Sequence, residues 1–228
     1  MIIKSWFLVM CDLSDWVVVF DLDDTLYSED DYNQSGVIAV SNDLARLFNL
    51  DITEQLLSVR EEKGDIWGRA CELLSIPASV KESLLWMYRL HHPQIDLGKE
   101  IVEVMADISK QAQQVAILTD GRSITQRLKL DALGLLEYPS YISEEYNLTK
   151  PLAKRFQIIM SDFPATNYAY IADNPVKDFV GPNSLGWKTI GVRDGGRNIH
   201  PQIVDNVATE YLPNVWVQKL SDIVENLC

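Results

Sequence analysis

Val17-Val-Val-Phe-Asp21-Leu-Asp-Asp-Thr25 is the stretch on which the reading of this chain turns. Four apolar residues, three of them β-branched, form a short run suited to a strand buried on both faces of a parallel sheet. Asp21, Asp23 and Asp24 follow directly, with Thr25 next. Carboxylates crowded at a buried strand end repel, by roughly 4 kcal/mol for two unit charges about 4 Å apart at an effective dielectric near 20. The stretch therefore predicts a cation among these carboxylates, and a functional site beyond the strand.

Outward from this strand the pattern divides. Residues 27–37 are polar and turn-rich and read as a hinge, and from about 38 to 93 the apolar period is helical, with Ile38, Leu44, Leu47 and Phe48 on one face. Asp51-x-x-Glu54 and Ser79-x-x-Glu82 read as capping boxes. Beyond Pro93, helical and strand patterns alternate. Strands are predicted at Val115–Leu118, Tyr141–Ile142, Tyr168–Ile171 and Lys188–Val192, with an amphipathic helix carrying Leu220, Ile223, Val224 and Leu227 near the C-terminus. Ser123-x-x-Gln126 reads as a capping box, Gly134 as a helix end, and Lys150-Pro151 as the opening of a helix.

The expected fold class is α/β, with a three-layer Rossmann-like core around a mainly parallel sheet of about five strands. Residues 1–28 and 96–228 would form this discontinuous core, and 29–95 an inserted all-α cap. Ligands of such sheets sit beyond the carboxyl ends of the strands. Asp21 to Thr25, Thr119 to Arg122, Lys150, and Asp173 to Asp178 all follow strands and would converge there.

Composition narrows the partners. Of 228 residues, 47% are apolar and 23% charged, ordinary globular values, and the formal net charge of -13 argues against nucleic acid or an anionic membrane as a partner. Cys11, Cys71 and Cys228 form no CxxC and read as reduced thiols of a cytoplasmic protein, without a zinc site. Residues 1–11 lack the features of a secretory leader and read as an edge strand or flap, with Trp6–Val9 offering an interface if the monomer pairs into a homodimer.

Phe20-Asp-Leu-Asp-Asp-Thr-Leu26, Thr119, Lys150-Pro151 and Asp173-Asn-Pro-x-x-Asp178, in this order, resemble the motifs of the haloacid dehalogenase-like superfamily of phosphohydrolases. Gly186-x-Lys-Thr-Ile-Gly-Val192 is similar to its fourth-motif region, and the helical insert is similar to its mobile cap between the first two motifs. The resemblance implies a Mg²⁺-dependent phosphatase of small phosphorylated metabolites, with the metal held by Asp21, Asp173 and the backbone carbonyl of Asp23. Ala172 and Asp120 depart from it, standing where glycine and asparagine are common.

The residue chemistry agrees. Asp21 can attack phosphorus and form an acyl-phosphate. Asp23, two residues on in an extended segment, can protonate the leaving oxygen and later activate water. Mg²⁺ prefers such oxygen ligands. Lys150 offers a compact charge to the phosphoryl oxygens, and Thr119 and the backbone of Asp120 offer donors. Gly121, Arg122 and Tyr27 are further candidates for phosphate or substrate contact, with Arg122 expected to pair with Asp120. Asp178 is placed behind the metal, holding its water or Lys150. Asp24 and Thr25 read as structural, Trp67, Trp86 and Tyr88 as cap core, and His91-His92 as a solvated helix end. A phosphomutase would use the same aspartyl-phosphate, whereas a dehalogenase would not need Asp23. A phosphoacceptor receiver module is the competing non-enzyme reading, disfavoured by the early acidic cluster and the helical insert.

Overall fold

The computed structural model describes residues 12–202, 204–205 and 207–227. The expectations for residues 1–11 and Cys228 lie outside these residues. Among the described residues the sheet has six strands in the order β3-β2-β1-β4-β5-β6, all parallel. They are β1 (Trp16–Phe20), β2 (Gln114–Thr119), β3 (Ser140–Ile142), β4 (Asn167–Ala172), β5 (Lys188–Val192) and β6 (Val215–Val217). Strand β1 is central, paired with β2 on one side and β4 on the other.

The alternation of β1 shows why its sequence is apolar throughout. Val18 and Phe20 face one core cluster with Ile117, Ile171 and Ile190, while Val17 and Val19 face the other with Leu118, Tyr170 and Phe156. Val17 to Phe20 are fully buried, as expected for a strand covered on both faces. The first cluster is closed by α5 (Lys99–Gln111), α6 (Ser123–Ala132) and α10 (Ile223–Leu227), and the second by α8 (Lys154–Asp162). Two short helices, α7 (Ser143–Tyr146) and α9 (Val180–Ser184), follow β3 and precede β5.

Between β1 and β2 stand four helices, α1 (Glu29–Phe48), α2 (Thr53–Glu61), α3 (Ile66–Leu73) and α4 (Lys81–Arg89). They share a core of Val37, Val40, Leu44, Ile52, Leu56, Ala70, Cys71 and Leu84. The hinge expected over 27–37 is instead the first turns of α1. Glu29, Asp30 and Asp31 suit the positive end of the helix dipole, and Asp24 Oδ1 accepts the Glu29 N–H at 2.8 Å. Gly36, which suggests a turn, serves close packing, since a Cβ there would meet the Tyr88 ring at 2.4 Å.

Other local expectations also give way. Asp51 accepts from Thr53 ahead of α2, Ser79 lies in a 3₁₀ turn before α4, and the side-chain cap of α3 is Asp65, which accepts from Gly68. Lys150-Pro151 is a cis peptide within a turn, and the helix begins only at Lys154. β6 escapes notice because it is three residues long; its Trp216 packs where Gly191 leaves room, 2.4 Å from the position of a Cβ. His91 is buried between Tyr32 and Tyr88, whereas Trp86, expected in the cap core, is 41% exposed. No helix of the described residues is long and apolar enough to cross a membrane.

Candidate active site

The loop after β1 is pinned before it turns. The Asp21 N–H donates to Ile171 O of β4 at 2.8 Å, and Leu22 and Leu26 insert into the core, so Asp21 is held at the sheet edge. Asp24 takes a left-handed conformation (φ 56°), its two carboxylate oxygens accepting the N–H groups of Glu29 and Ile199. It thereby joins the start of α1 to the loop after β5.

Across the edge, Asp21 Oδ2 lies 2.9 Å from Lys150 Nζ, and Asp178 Oδ1 lies 2.6 Å from the same ammonium. Tyr170 Oη is 3.1 Å from it on the inner side. Asp178 Oδ2 accepts the Asn174 N–H at 2.8 Å, which closes the turn after β4 and orients Asp173. Oxygens of Asp21, Asp173 and Asp178 lie within 4.8 Å of one another. Burial raises the Asp173 carboxyl to about 8, with the charges of Asp178, Asp21 and Asp24 adding to it. Burial likewise raises Asp21 to about 6, even with Lys150 beside it. Three buried carboxylates share one ammonium, so the cluster is short of positive charge. An oxygen-liganded divalent cation is the species that fits such a donor set.

Asp23 lies on the other side of the same cleft and is already satisfied. Lys129 Nζ stands 2.6 Å from Oδ1, the Tyr27 hydroxyl donates to the same oxygen, and Gln126 Nε2 donates to Oδ2 at 2.8 Å. Burial works against the Asp23 charge, but Lys129 and these donors outweigh it and hold the carboxyl below its ordinary range. Thr119, at the end of β2, is buried and accepts from Gln126 Nε2 at 2.7 Å, which leaves its own O–H to donate elsewhere. Asp21, Asp23, Thr119, Asp120 and Asp173 thus line one small cleft of about 20 Å³.

Four expected contacts are placed differently. Tyr27 is 7% exposed and bonded to Asp23, so its ring belongs to the core under the loop and not to a substrate surface. The Gly121 N–H donates to Ser143 Oγ, and the glycine is needed because a Cβ would lie 2.8 Å from the Gln126 side chain. Arg122 pairs loosely with Glu144 at 3.7 Å and lies over Trp86 of α4. The partner of Asp120 is instead Arg155, fully buried, whose guanidinium also donates to Thr119 O and Tyr141 O. Asp120 in turn accepts the Lys150 N–H at 3.1 Å, so Arg155 and Asp120 together fix the loop that carries Lys150.

Sequence reasoning overlooked Lys129, Arg155, Glu29 and Asn198, and read Gln126 as part of a helix cap, whereas it bonds Asp23 and Thr119. Glu29 of α1 faces the cleft, and burial together with the Asp23 charge raises its carboxyl to about 7. Asn198 Nδ2 donates to Asp173 Oδ2 at 2.8 Å. Gln126 and Lys129 carried a usable signal: polar residues three apart on the face of α6 that also bears Leu130.

No family model matches the chain. Two curated proteins are similar over nearly the full length of both chains. Glyceraldehyde 3-phosphate phosphatase of Methanocaldococcus jannaschii is 24% identical, over 92% of this chain and 97% of its own. Ribulose-1,5-bisphosphate 5-phosphatase of Halopiger xanaduensis is 25% identical, over 91% and 97%. Among solved structures, the magnesium-bound HAD-hydrolase YfnB of Bacillus subtilis superposes with a TM-score of 0.62 at 19% identity, covering 94% of this chain and 99% of its own. A HAD phosphatase from Thermococcus onnurineus gives 0.59 at 19% identity, covering 92% and 97%. These superpositions show the fold. The chain thus has the fold of the haloacid dehalogenase-like hydrolases, carries the motifs in order along it, and is similar over nearly its full length to two phosphatases.

Proposed function

We propose that this protein is a Mg²⁺-dependent phosphatase that hydrolyses a small phosphomonoester metabolite through an aspartyl-phosphate on Asp21. The observation that carries the reading is the buried cluster of Asp21, Asp173 and Asp178 around Lys150, three carboxylates against one ammonium. Asp21 and Asp173, with the backbone carbonyl of Asp23, would hold Mg²⁺, and Asp178 would hold Lys150. Bound there, the ion neutralises phosphoryl charge and balances the cluster.

An Asp21 oxygen attacks phosphorus as the bond to the leaving oxygen breaks, and Asp23, which takes up a proton as the substrate's negative charge enters the cleft, gives it to that oxygen. In the second half Asp23 takes a proton from water, which attacks phosphorus and releases phosphate and the free Asp21 carboxylate. Lys150 and the Thr119 hydroxyl stabilise the phosphoryl oxygens as charge builds on them.

The four-helix insert acts as the cap. Beside the cleft lies a cavity of about 680 Å³, lined by Arg60, Trp67 and Tyr88 from the insert and by Asn198 and Ile199 from the core. Asn198 borders this cavity and also bonds Asp173, so the leaving group would lodge there with its phosphate at Asp21. The substrates named for the two curated relatives are small phosphorylated sugars, which supports this size class.

A phosphate-release screen over sugar phosphates, nucleotides and polyol phosphates, with and without Mg²⁺, tests the reading. Turnover that requires Mg²⁺ and is lost in Asp21→Asn is the expected result. A folded wild-type protein inert across the panel would overturn it.

A further inference from the structure

Lys129 is a lysine in an unexpected place. It sits on α6, 3% exposed, on the inward face that also carries Gln126 and Leu130. A buried ammonium without a partner is strongly destabilising, so its pairing with Asp23 is the feature that makes the position tolerable. The partners are 106 residues apart in sequence. One turn earlier on the same helix face, Gln126 is 2% exposed and bridges Asp23 Oδ2 to Thr119 Oγ1. The two oxygens of Asp23 are therefore gripped separately, Oδ1 by Lys129 and Tyr27 and Oδ2 by Gln126. Such a grip removes rotation of the carboxyl about its terminal torsion, which is otherwise soft.

The Lys129 ammonium also lies 4.2 Å from the centroid of the Tyr32 ring on α1. The same side chain thus touches the candidate proton carrier and the helical insert. We propose that Lys129, with Gln126, is the positioning residue of Asp23, orienting its carboxyl toward the leaving oxygen while the insert is seated on the core. The inference rests on the reading of Asp23 as the proton carrier.

A role in proton transfer differs from a merely structural one in its dependence on the leaving group. An alkyl phosphate expels a basic oxygen that must be protonated, whereas p-nitrophenyl phosphate expels a stable anion. The ratio kcat/KM reports steps up to departure of the alcohol, and so isolates this half-reaction. The experiment measures kcat/KM on glycerol phosphate and on p-nitrophenyl phosphate for the wild type, Lys129→Met, Lys129→Arg, Gln126→Met and Asp23→Asn.

Lys129→Met should lose about 10²-fold on the alkyl ester, the scale of a misplaced reacting group, and far less on the nitrophenyl ester. Lys129→Arg should recover most of the loss, and Gln126→Met should show the same selectivity at smaller size. Gln126→Met carries the test if Lys129→Met does not fold. Asp23→Asn should show the selectivity in full. Equal losses on both esters in the Lys129 and Gln126 variants, with Asp23→Asn still selective, would overturn the positioning role alone. Equal losses in Asp23→Asn as well would overturn the reading of Asp23 and the positioning role with it.

Discussion

Two buried lysines flank the first acidic loop, and they are balanced differently. Lys150 faces Asp21 and Asp178, with Asp173 close behind, whereas Lys129 pairs with Asp23. On the Asp21 side the carboxylates outnumber the ammonium three to one, and the Asp173 carboxyl is pushed up to about 8 as a result of burial and like charge. On the Asp23 side the opposing charges and donors hold that carboxyl low against the cost of burial. The difference assigns separate tasks to neighbouring residues of one loop. On the proposed reading, the under-compensated side accepts a cation and a phosphoryl group, and the compensated side holds one carboxyl in a fixed orientation.

The contrast can be broken most forcefully at Lys150. Lys150→Met leaves Asp21 and Asp178 facing each other without a counter-charge, and removing one partner of a buried pair typically costs about 3–5 kcal/mol. Urea unfolding of the metal-free variant should show a loss of that order, with phosphatase activity abolished. A variant as stable as the wild type would mean that the Asp21 side is not charge-crowded.

At Asp173 the opposite sign is expected. Asp173→Asn removes a buried negative charge but keeps an acceptor for Asn198, so the metal-free protein should gain about 1–2 kcal/mol, the range of ordinary stabilising substitutions. The wild type should show a rise in melting temperature with Mg²⁺, as binding to the native state requires, and this variant should lose it. A destabilised variant that still responds to Mg²⁺ would place the cation elsewhere.

The smallest effect belongs to Asp24, which lies in the same loop but bonds backbone N–H groups and neither lysine. Asp24→Ala removes the acceptor for the Glu29 and Ile199 N–H groups and should cost about 1 kcal/mol, the usual value of a helix cap. Its kcat should stay within a few-fold of wild type, read in the same assay that finds Asp21→Asn inactive. Equal inactivity of the two folded variants would undo the division of roles within the loop.

What was legible in the sequence follows from how far each signal reaches. β1 and β2 were readable because a buried parallel strand is an uninterrupted apolar run, and the convergence of Asp21, Thr119 and Asp173 followed because each stands at the end of a strand of one parallel sheet, whereas Lys150 reaches the same edge from the turn after α7. The first turns of α1 were not readable, since its inward residues there are Tyr32, Ser35 and Gly36, chosen for contact with α4 and mimicking a turn. Pairings across long separations leave no local trace. The choice of Arg155 over Arg122 as the partner of Asp120, and of Lys129 for Asp23, depends on which helix face meets the sheet edge in three dimensions.

In the proposed cycle Asp21 receives the phosphoryl group while Asp23 moves protons. Asp23→Asn, incubated with Mg²⁺ and p-nitrophenyl phosphate, keeps the nucleophile and a leaving group that needs no acid, but lacks the base for the second half-reaction. Intact-protein mass spectrometry of that mixture should show one phosphoryl group per chain, mapped by peptide analysis to Asp21 and absent when Asp21 is also changed to Asn. A phosphoryl group on any other residue, or turnover that persists in the double variant, would contradict the account.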